Sequence, residues 1–267
     1  MALSKSKSIL PYEKGRGLFI HICNLHFGGR LDRDETFQGK VRYRKGAEKD
    51  LSLVSRAAQL LDVEYLEYTD KTADEIRGII KESKKTMLKE KYVSFFLVIS
   101  THGDDDLIYG VDDQSVAIER EIIDPFHNYN FAALDGMPKN FFLNCCRGSE
   151  APDSIKREQT AKDHGKFKTK KVEMTRKGSK IGDYMVVYST HKGLASIRYQ
   201  EDGSPLLETL ATTIGEYAEN KLLATTDMET LIKKIRQRIH AKTGLSIEVS
   251  SSFSKEFLIP AKGIFIF

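Results

Sequence analysis

Runs of apolar residues alternate with amphipathic segments along most of the chain. Short, almost continuous apolar runs predict buried strands, at Arg16–Ile22, Val63–Tyr68, Val93–Thr101, Lys139–Cys145 and Tyr184–Thr190. Apolar residues three or four positions apart predict helices, at Ala47–Leu61, Thr72 to about Lys89, Pro205–Asn220 and Thr226–Lys242. This alternation predicts an α/β fold with a mostly parallel central β-sheet flanked by helices.

Local signals mark the ends of several elements. The segments Thr72–Glu75 and Thr226–Glu229 each begin with Thr and end with Glu, which predicts a capping box at the start of two helices. Two short apolar runs, Lys255–Ile259 and Gly263–Phe267, predict strands that close the chain.

The segment 154–182 is basic and shows neither helical nor strand periodicity. Residues 154–180 contain ten basic and three acidic side chains, a net charge of +7, whereas the whole chain carries +4. The rest of the chain is therefore net acidic. Nucleic-acid surfaces usually combine basic residues with several aromatic side chains, and Phe167 is the one aromatic residue in this segment. The segment therefore does not resemble a nucleic-acid surface. We interpret it as a solvated linker that interrupts one fold, and we expect no nucleic-acid partner.

Composition and cysteine usage indicate the compartment. The chain is 40% apolar and 30% charged, no apolar run approaches the length of a membrane span, and Met1–Leu10 lacks the apolar core of a secretory signal. The three cysteines, Cys23, Cys145 and Cys146, are odd in number and two are adjacent. This argues against a disulfide framework and a cysteine-based zinc site. We expect a cytoplasmic protein with no cofactor, metal or membrane contact.

Two segments whose side chains could act in catalysis follow predicted strands. The run Val93–Thr101 leads into His102-Gly103, and the run from Lys139 ends in Cys145-Cys146-Arg147-Gly148. In doubly wound sheets, ligands bind at the carboxyl ends of the strands. An imidazole can take a proton from a thiol, and a neighbouring glycine lets backbone N–H groups approach a substrate carbonyl. A lone cysteine after a strand is more often a small buried apolar residue, so that alternative stays open.

The segment Asn144-Cys145-Cys146-Arg147-Gly148 resembles the active-site pentapeptide of the caspases, usually Gln-Ala-Cys-Arg-Gly. His102 lies 44 residues before Cys146, close to the spacing of the catalytic histidine in that family. Other segments resemble the family too: Arg16-Gly17, Arg44-Lys45-Gly46 followed by Asp50, Tyr188–Thr190, Ala195–Arg198 and Asp202–Ser204. The resemblance covers all but the first 15 or so residues, and the chain is identified as a member of the caspase family.

The resemblance implies a role for each matching residue. Cys146 would be the nucleophile and His102 the general base and later acid. The backbone N–H groups of Gly103 and Cys146 would form the oxyanion hole. Arg44 and Arg198 would clamp a substrate aspartate carboxylate in the S1 pocket, since planar guanidinium groups make bidentate, charge-assisted bonds. The implied reaction is peptide-bond cleavage after aspartate.

Some positions depart from the family pattern. At S1, Asn144 replaces the usual Gln and is one methylene shorter, and Thr101 replaces the usual Ser. The chain has no Trp. Ala195 and Ile197, with Ser196 between them, stand where the family has aromatic subsite walls, which implies a wider S2 pocket. The motif register makes Cys145 the residue before the nucleophile, so its side chain should point into the core.

The resemblance also implies how the chain is divided and processed. It implies a short N-terminal segment 1–15, a large subunit 16–153, a basic linker 154–182 and a small subunit 183–267. We expect a zymogen cut at Asp153, where Glu150 supplies an acid at P4. Asp163 suits the family less, and Asp183 lies too close to the next strand. Lys255–Ile259 aligns with the strand that pairs with its twin across a twofold axis, which predicts a homodimer.

Two functions from different classes fit these features. The first is an active cysteine endopeptidase of programmed cell death or inflammatory signalling, acting on protein substrates with Asp at P1. The second is a catalytically weak homologue that regulates an active caspase by dimerising with it. The complete Cys–His pair favours the enzyme.

Overall fold

The computed structural model describes residues 11–28, 42–127, 132–150 and 182–262. The strands are β1 (Gly17–Cys23), β2 (His26–Phe27), β3 (Arg42–Tyr43), β4 (Val63–Thr69), β5 (Ser94–Ser100), β6 (Gly103–Asp104), β7 (Leu107–Tyr109), β8 (Ser115–Ala117), β9 (Lys139–Asn144), β10 (Tyr184–Tyr188) and β11 (Glu248–Ser251). The α-helices are α1 (Ala47–Gln59), α2 (Ala73–Lys89), α3 (Pro205–Glu219) and α4 (Met228–Thr243). A π-helical turn spans Ile118–Ile123, and 3-10 turns span Asp124–Phe126, Ala132–Leu134 and Leu223–Thr225.

Six strands of the described chain form one central sheet in the order β11-β10-β9-β5-β1-β4. The five strands from β10 to β4 are parallel, and β11 pairs antiparallel with β10. Every residue of β1, β5 and β9 is buried. Their apolar runs are almost continuous because helices cover both faces of the sheet. The predicted α/β fold with a mostly parallel sheet is confirmed.

Helices form a layer on each face of the sheet. On one face α3 packs between α1 and α4, and Val54 and Ile235 share a core with Phe96 of β5. On the other face Ile76 of α2 shares a second core with Phe95. Adjacent residues of β5 thus enter different cores, because successive strand side chains point to opposite faces.

One of the two predicted capping boxes forms. The box at Thr72 starts α2 with both reciprocal hydrogen bonds. The box at Thr226–Glu229 is wrong, because the N-cap of α4 is Asp227, whose carboxylate accepts the N–H of Thr230 at 3.0 Å. The Thr226 hydroxyl instead donates to the carbonyl of Leu222 at 2.8 Å and closes the preceding turn.

The predicted strand at Lys255–Ile259 is also wrong. This segment lies across the start of α4, where the Met228 N–H donates to the Phe257 carbonyl at 2.8 Å and the Ile259 N–H donates to the Thr226 carbonyl at 3.0 Å. Phe257 and Ile259 are buried in the α1–α3–α4 core. Their spacing therefore reflects packing over a helix, and β11 is the outermost described strand on that side of the sheet.

Several predictions fall on residues outside the described ranges. Asp153, Asp163, the linker up to residue 181 and the strand Gly263–Phe267 all lie there. The described residues on either side of the linker are held by hydrogen bonds. Glu150 bonds to the backbone of residues 193 and 195, and Asp183 accepts hydrogen bonds from Tyr12, Gly136 and Ser254. None of the described helices combines the length and apolar content that crossing a membrane requires.

Candidate active site

The two predicted catalytic segments meet at one edge of the sheet. Strands β5 and β9 are parallel neighbours, and Ser100 at the end of one pairs with Asn144 at the end of the other. The Thr101 N–H continues the pairing with a 3.3 Å bond to the Asn144 carbonyl. His102 and Cys146, each two residues beyond this pair, therefore leave the sheet at the same edge, as the strand-end positions predicted.

Gly103 permits this close approach. A Cβ atom at this position would lie 2.6 Å from the Cys146 carbonyl oxygen and 2.9 Å from the Cβ of Cys145. Only glycine fits without pushing the two strand ends apart. The His102 ring packs edge-on against Phe27, with ring centroids 4.5 Å apart. This contact fixes the orientation of the imidazole.

The loop that carries Cys146 is bonded to the loop that carries the predicted subsite walls. The Arg147 N–H donates to the Leu194 carbonyl at 2.9 Å, and the Ala195 N–H donates to the Glu150 carbonyl at 2.9 Å. Gly148 has φ +147, and a Cβ there would lie 2.2 Å from the Gly193 carbonyl oxygen. The glycine of the pentapeptide is thus required by a backbone contact.

The Cys146 thiol is buried under Ser196. Its Sγ lies 3.3 Å from the Ser196 N–H, which donates to it, and 3.9 Å from the Ser196 carbonyl oxygen. These two contacts hold the sulfur against the backbone of Ser196. The neighbouring Cys145 points the other way, into the α2-side core, where burial raises the pKa of its thiol to about 12. Burial likewise raises the pKa of Cys23 to about 12.

A cavity of about 190 Å³ opens beside Cys146. It is lined by Arg44, Thr101, Asn144, Cys145, Cys146, Ser196, Ile197, Arg198 and Ser204. Both arginines are buried, at 4% and 3% exposure. Arg44 Nη1 donates to the Asn24 carbonyl at 2.7 Å, and Arg198 Nε donates to the Lys45 carbonyl at 2.8 Å. These backbone bonds fix two guanidinium groups at one cavity.

Thr101 and Asn144 form the polar wall of this cavity. The Thr101 hydroxyl donates to the Tyr109 carbonyl at 2.6 Å. The Asn144 Nδ2 amide donates to Ser204 Oγ at 2.7 Å, to Ser100 Oγ at 2.9 Å and to Asp50 Oδ2 at 3.3 Å. Among the predicted subsite walls, Ser196 and Ile197 line the cavity, and Ala195 is buried beside them.

A match to a known family accompanies this geometry. The family model described as the caspase domain matches residues 17–258. The chain belongs to the caspase family. Caspase-2 of Gallus gallus is 23% identical over 235 residues, which cover 86% of this chain and 52% of the relative. Caspase-8 of Mus musculus is 29% identical over 210 residues, which cover 76% of this chain and 42% of the relative.

The chain spans about half the length of these two curated caspases. The crystal structure of caspase-1 from Spodoptera frugiperda matches with a TM-score of 0.72, covering 97% of this chain and 98% of that chain. At 18% identity this similarity shows the fold. The predicted caspase-like fold is therefore confirmed.

Arg147, the residue after Cys146, connects the site to the edge of the sheet. The Arg147 guanidinium lies 3.9 Å from the ring centroid of Tyr188 and 2.6 Å from Glu248 Oε2 on β11. Arg147 is 5% exposed, so the cation is held by an aromatic face and a carboxylate away from water.

Ser204 lines the cavity and Asp50 lies buried behind it, and the sequence predicts no role for either residue. Asp50 lies four residues before Val54, on the buried stripe of α1. A carboxylate on an apolar helix stripe indicates a buried polar contact, because a buried charge needs a hydrogen-bonding or charged partner. Its partner Ser204 lies 154 residues away in the sequence, and no local pattern predicts that contact.

Proposed function

We propose that this caspase-family chain is a cysteine endopeptidase that cleaves peptide bonds after aspartate. One observation carries the proposal: Cys146 and two buried guanidinium groups, those of Arg44 and Arg198, line the same cavity of about 190 Å³. A substrate carboxylate entering the cavity would meet two positive charges in a place shielded from water. Charge-assisted bonds are strongest there.

The chemistry follows from the positions of the two catalytic groups. His102 takes the proton of the Cys146 thiol, and the thiolate attacks the carbonyl carbon of the residue held in the cavity. The backbone N–H groups of Gly103 and Cys146 stabilise the oxyanion. His102 then gives its proton to the leaving amine as the C–N bond breaks. A water molecule, deprotonated by His102, attacks the thioester, and its collapse releases the acid and restores the thiol.

A peptide library varied at P1 tests this proposal. The wild-type protein should cleave substrates with Asp at P1, and Cys146→Ala should cleave none. Cys23→Ala is the matched control, because this buried thiol packs beside Ala47 and does not line the cavity, and it should retain activity in proportion to its folded fraction. Cleavage after Lys or Arg, or undiminished cleavage by Cys146→Ala, would overturn the assignment.

The zymogen character belongs to the same proposal. We expect the protein to be cut after Asp153 and to work with its large and small subunits associated. Asp183 is an unsuitable site, since it is 7% exposed and accepts several hydrogen bonds. Wild type should split into fragments of about 17 and 13 kDa, whereas Cys146→Ala should stay intact. A whole wild-type chain with full activity would contradict processing.

We expect the homodimer to form through β11, because Lys255–Ile259, the segment predicted to pair across the twofold axis, packs over α4 instead. Among the described residues β11 is the outermost strand on its side of the sheet, and its last two residues, Ser250 and Ser251, are exposed. An edge strand is a ready site for pairing with a second copy. Sedimentation should therefore detect a dimer at micromolar concentration. A monomer at all concentrations would contradict it.

Membership of the caspase family supports a proposal for the cellular role. We propose that the enzyme acts on protein substrates in programmed cell death or inflammatory signalling, in the cytoplasm. The three cysteines are free thiols, which suits a reducing compartment. A catalytically weak partner of another caspase is the second candidate, and the P1 library separates the two by the presence or absence of turnover.

A further inference from the structure

We propose that Asp50 is a positioning residue of the aspartate pocket, acting through Ser204, Asn144 and the two arginines. The inference rests on the proposed function, because it concerns the pocket that would bind the substrate aspartate. Asn144 and Ser204 line the cavity, whereas Asp50 lies behind them and is fully buried. Asp50 therefore acts on the pocket through its neighbours.

Both carboxylate oxygens of Asp50 hold the cavity wall. Oδ1 accepts the Ser204 N–H at 2.8 Å, and Oδ2 accepts the Ser204 hydroxyl at 2.7 Å. The Ser204 oxygen in turn accepts a hydrogen from Asn144 Nδ2 at 2.7 Å. The donors run in one direction, from Asn144 through Ser204 to Asp50. This chain fixes the amide of Asn144 two residues before the nucleophile.

Asp50 also balances the charge of the pocket. Burial raises the pKa of its carboxyl, while the hydrogen bonds from Ser204 and the positive charges of Arg44 and Arg198 offset part of that rise. Two buried cations side by side repel each other. Both oxygens of Asp50 accept hydrogen bonds, as those of a carboxylate do. Its negative charge behind the two guanidinium groups gives the pocket a net charge of about +1, which one substrate carboxylate neutralises.

The carboxylate connects the two segments that supply the arginines. Asp50 lies in the first turn of α1, just after Arg44, and Ser204 follows the turn after Arg198. Gly203 has φ +82, and a Cβ there would lie 2.8 Å from Asp50 Oδ1. The turn thus packs directly on the carboxylate. If the linker is cut, this contact holds an arginine segment of each subunit against the other.

Asp50→Asn tests the proposal by removing the charge at nearly constant volume. The Asn amide has one accepting oxygen, so it cannot accept hydrogen bonds from both the N–H and the hydroxyl of Ser204 as Asp50 does. We expect kcat/KM on an Asp-P1 peptide to fall about 10- to 100-fold, mainly through KM, as the loss of a charge-assisted hydrogen bond implies. Alkylation of Cys146 by iodoacetamide, which does not use the pocket, should stay within about threefold of wild type.

The matched control is Asp183→Asn. Asp183 is also a buried carboxylate that accepts several hydrogen bonds, but it lies at the opposite end of the sheet, beside Tyr12 and Ser254. It should lower the melting temperature without changing KM. A purely structural role for Asp50 would give the same result as this control, and that outcome would overturn the proposal.

A second variant covers the case in which Asp50→Asn fails to fold. Ser204→Ala removes the hydroxyl bridge but keeps the N–H bond, so we expect a loss of about 3- to 10-fold in kcat/KM. Where both fold, the double variant should be no worse than Asp50→Asn by more than about threefold, because the two act through one contact. If the losses in kcat/KM of the two single variants added fully in the double variant, or if Ser204→Ala left KM unchanged, the chain of contacts would be contradicted.

A readout independent of catalysis separates this inference from the proposed function. Phenylglyoxal modifies accessible guanidinium groups, and mass spectrometry locates the modified residues. Arg44 and Arg198 should react about fivefold faster in Asp50→Asn than in wild type, whereas the partly exposed Arg238 should not change. A wild type that cleaves no Asp substrate would defeat the proposed function alone. Unchanged arginine reactivity would defeat the role of Asp50.

Discussion

Substituting one pocket arginine gives a quantitative test of how the substrate carboxylate is held. Arg198 is 3% exposed, and its Nε donates to the Lys45 carbonyl at 2.8 Å, so its guanidinium is buried at the cavity. Removing one partner of a buried ion pair costs about 3–5 kcal/mol. At about 1.4 kcal/mol for each factor of ten, kcat/KM should fall about 10²- to 10³-fold or more.

The assay compares two reactions of the same thiol. Cleavage of an Asp-P1 peptide uses the pocket, and alkylation by iodoacetamide does not, so Arg198→Ala should lose the first and keep the second. Arg238→Ala is the control. This arginine pairs with Glu216 on the α3–α4 surface, and an ion pair this exposed contributes little. An Arg198→Ala enzyme within threefold of wild-type kcat/KM would refute the assignment of the pocket.

Three further perturbations test other parts of the structure. Gly103→Ala should lower kcat about 10²-fold, because its Cβ would lie 2.6 Å from the Cys146 carbonyl oxygen and displace the strand ends; wild-type kcat would contradict that contact. Hydrogen bonds from Ser254 and Tyr12 outweigh burial and lower the pKa of Asp183, so its stabilisation is complete above the unfolded pKa of about 3.9 and is lost as the pH falls through the lower folded value. Chemical denaturation at pH values from 6 to 2 should show the free energy of unfolding fall with pH in wild type and fall less steeply in Asp183→Asn. An equal dependence of this free energy on pH in the two proteins would contradict the prediction. Glu248→Gln removes the charge that faces Arg147 and should lower the free energy of unfolding by about 0.5–1.5 kcal/mol, whereas an unchanged denaturation midpoint would show that the contact contributes nothing.

The central sheet could be predicted from local patterns because burial on both faces leaves an unmistakable signal. Strands β5 and β9 are buried throughout, and their parallel pairing brings His102 and Cys146 to the same edge. The segment Lys255–Ile259 also contains a short apolar run, but for a different reason, since Phe257 and Ile259 pack over α4. Periodicity reports burial and does not distinguish a strand from an extended segment covering a helix.

The parts of the site that local patterns missed depend on long-range contacts. Asp50 could have been recognised as a charge on the apolar stripe of α1, but its partner Ser204 is 154 residues away. The Arg147–Glu248 pair is 101 residues apart. Hydrogen-bond partners at such separations are set by how the elements pack, and the chain carries no local signal for them.

Titration with an aspartyl ketone tests the central claim most directly, because the reagent must enter the arginine pocket before it alkylates a thiol. The account predicts that the wild-type protein takes up one equivalent, that peptide mapping places it on Cys146, and that Arg198→Ala takes up the reagent far more slowly while still reacting with iodoacetamide. Labelling of Cys145 or Cys23, or a folded and processed protein that takes up no reagent, would contradict it.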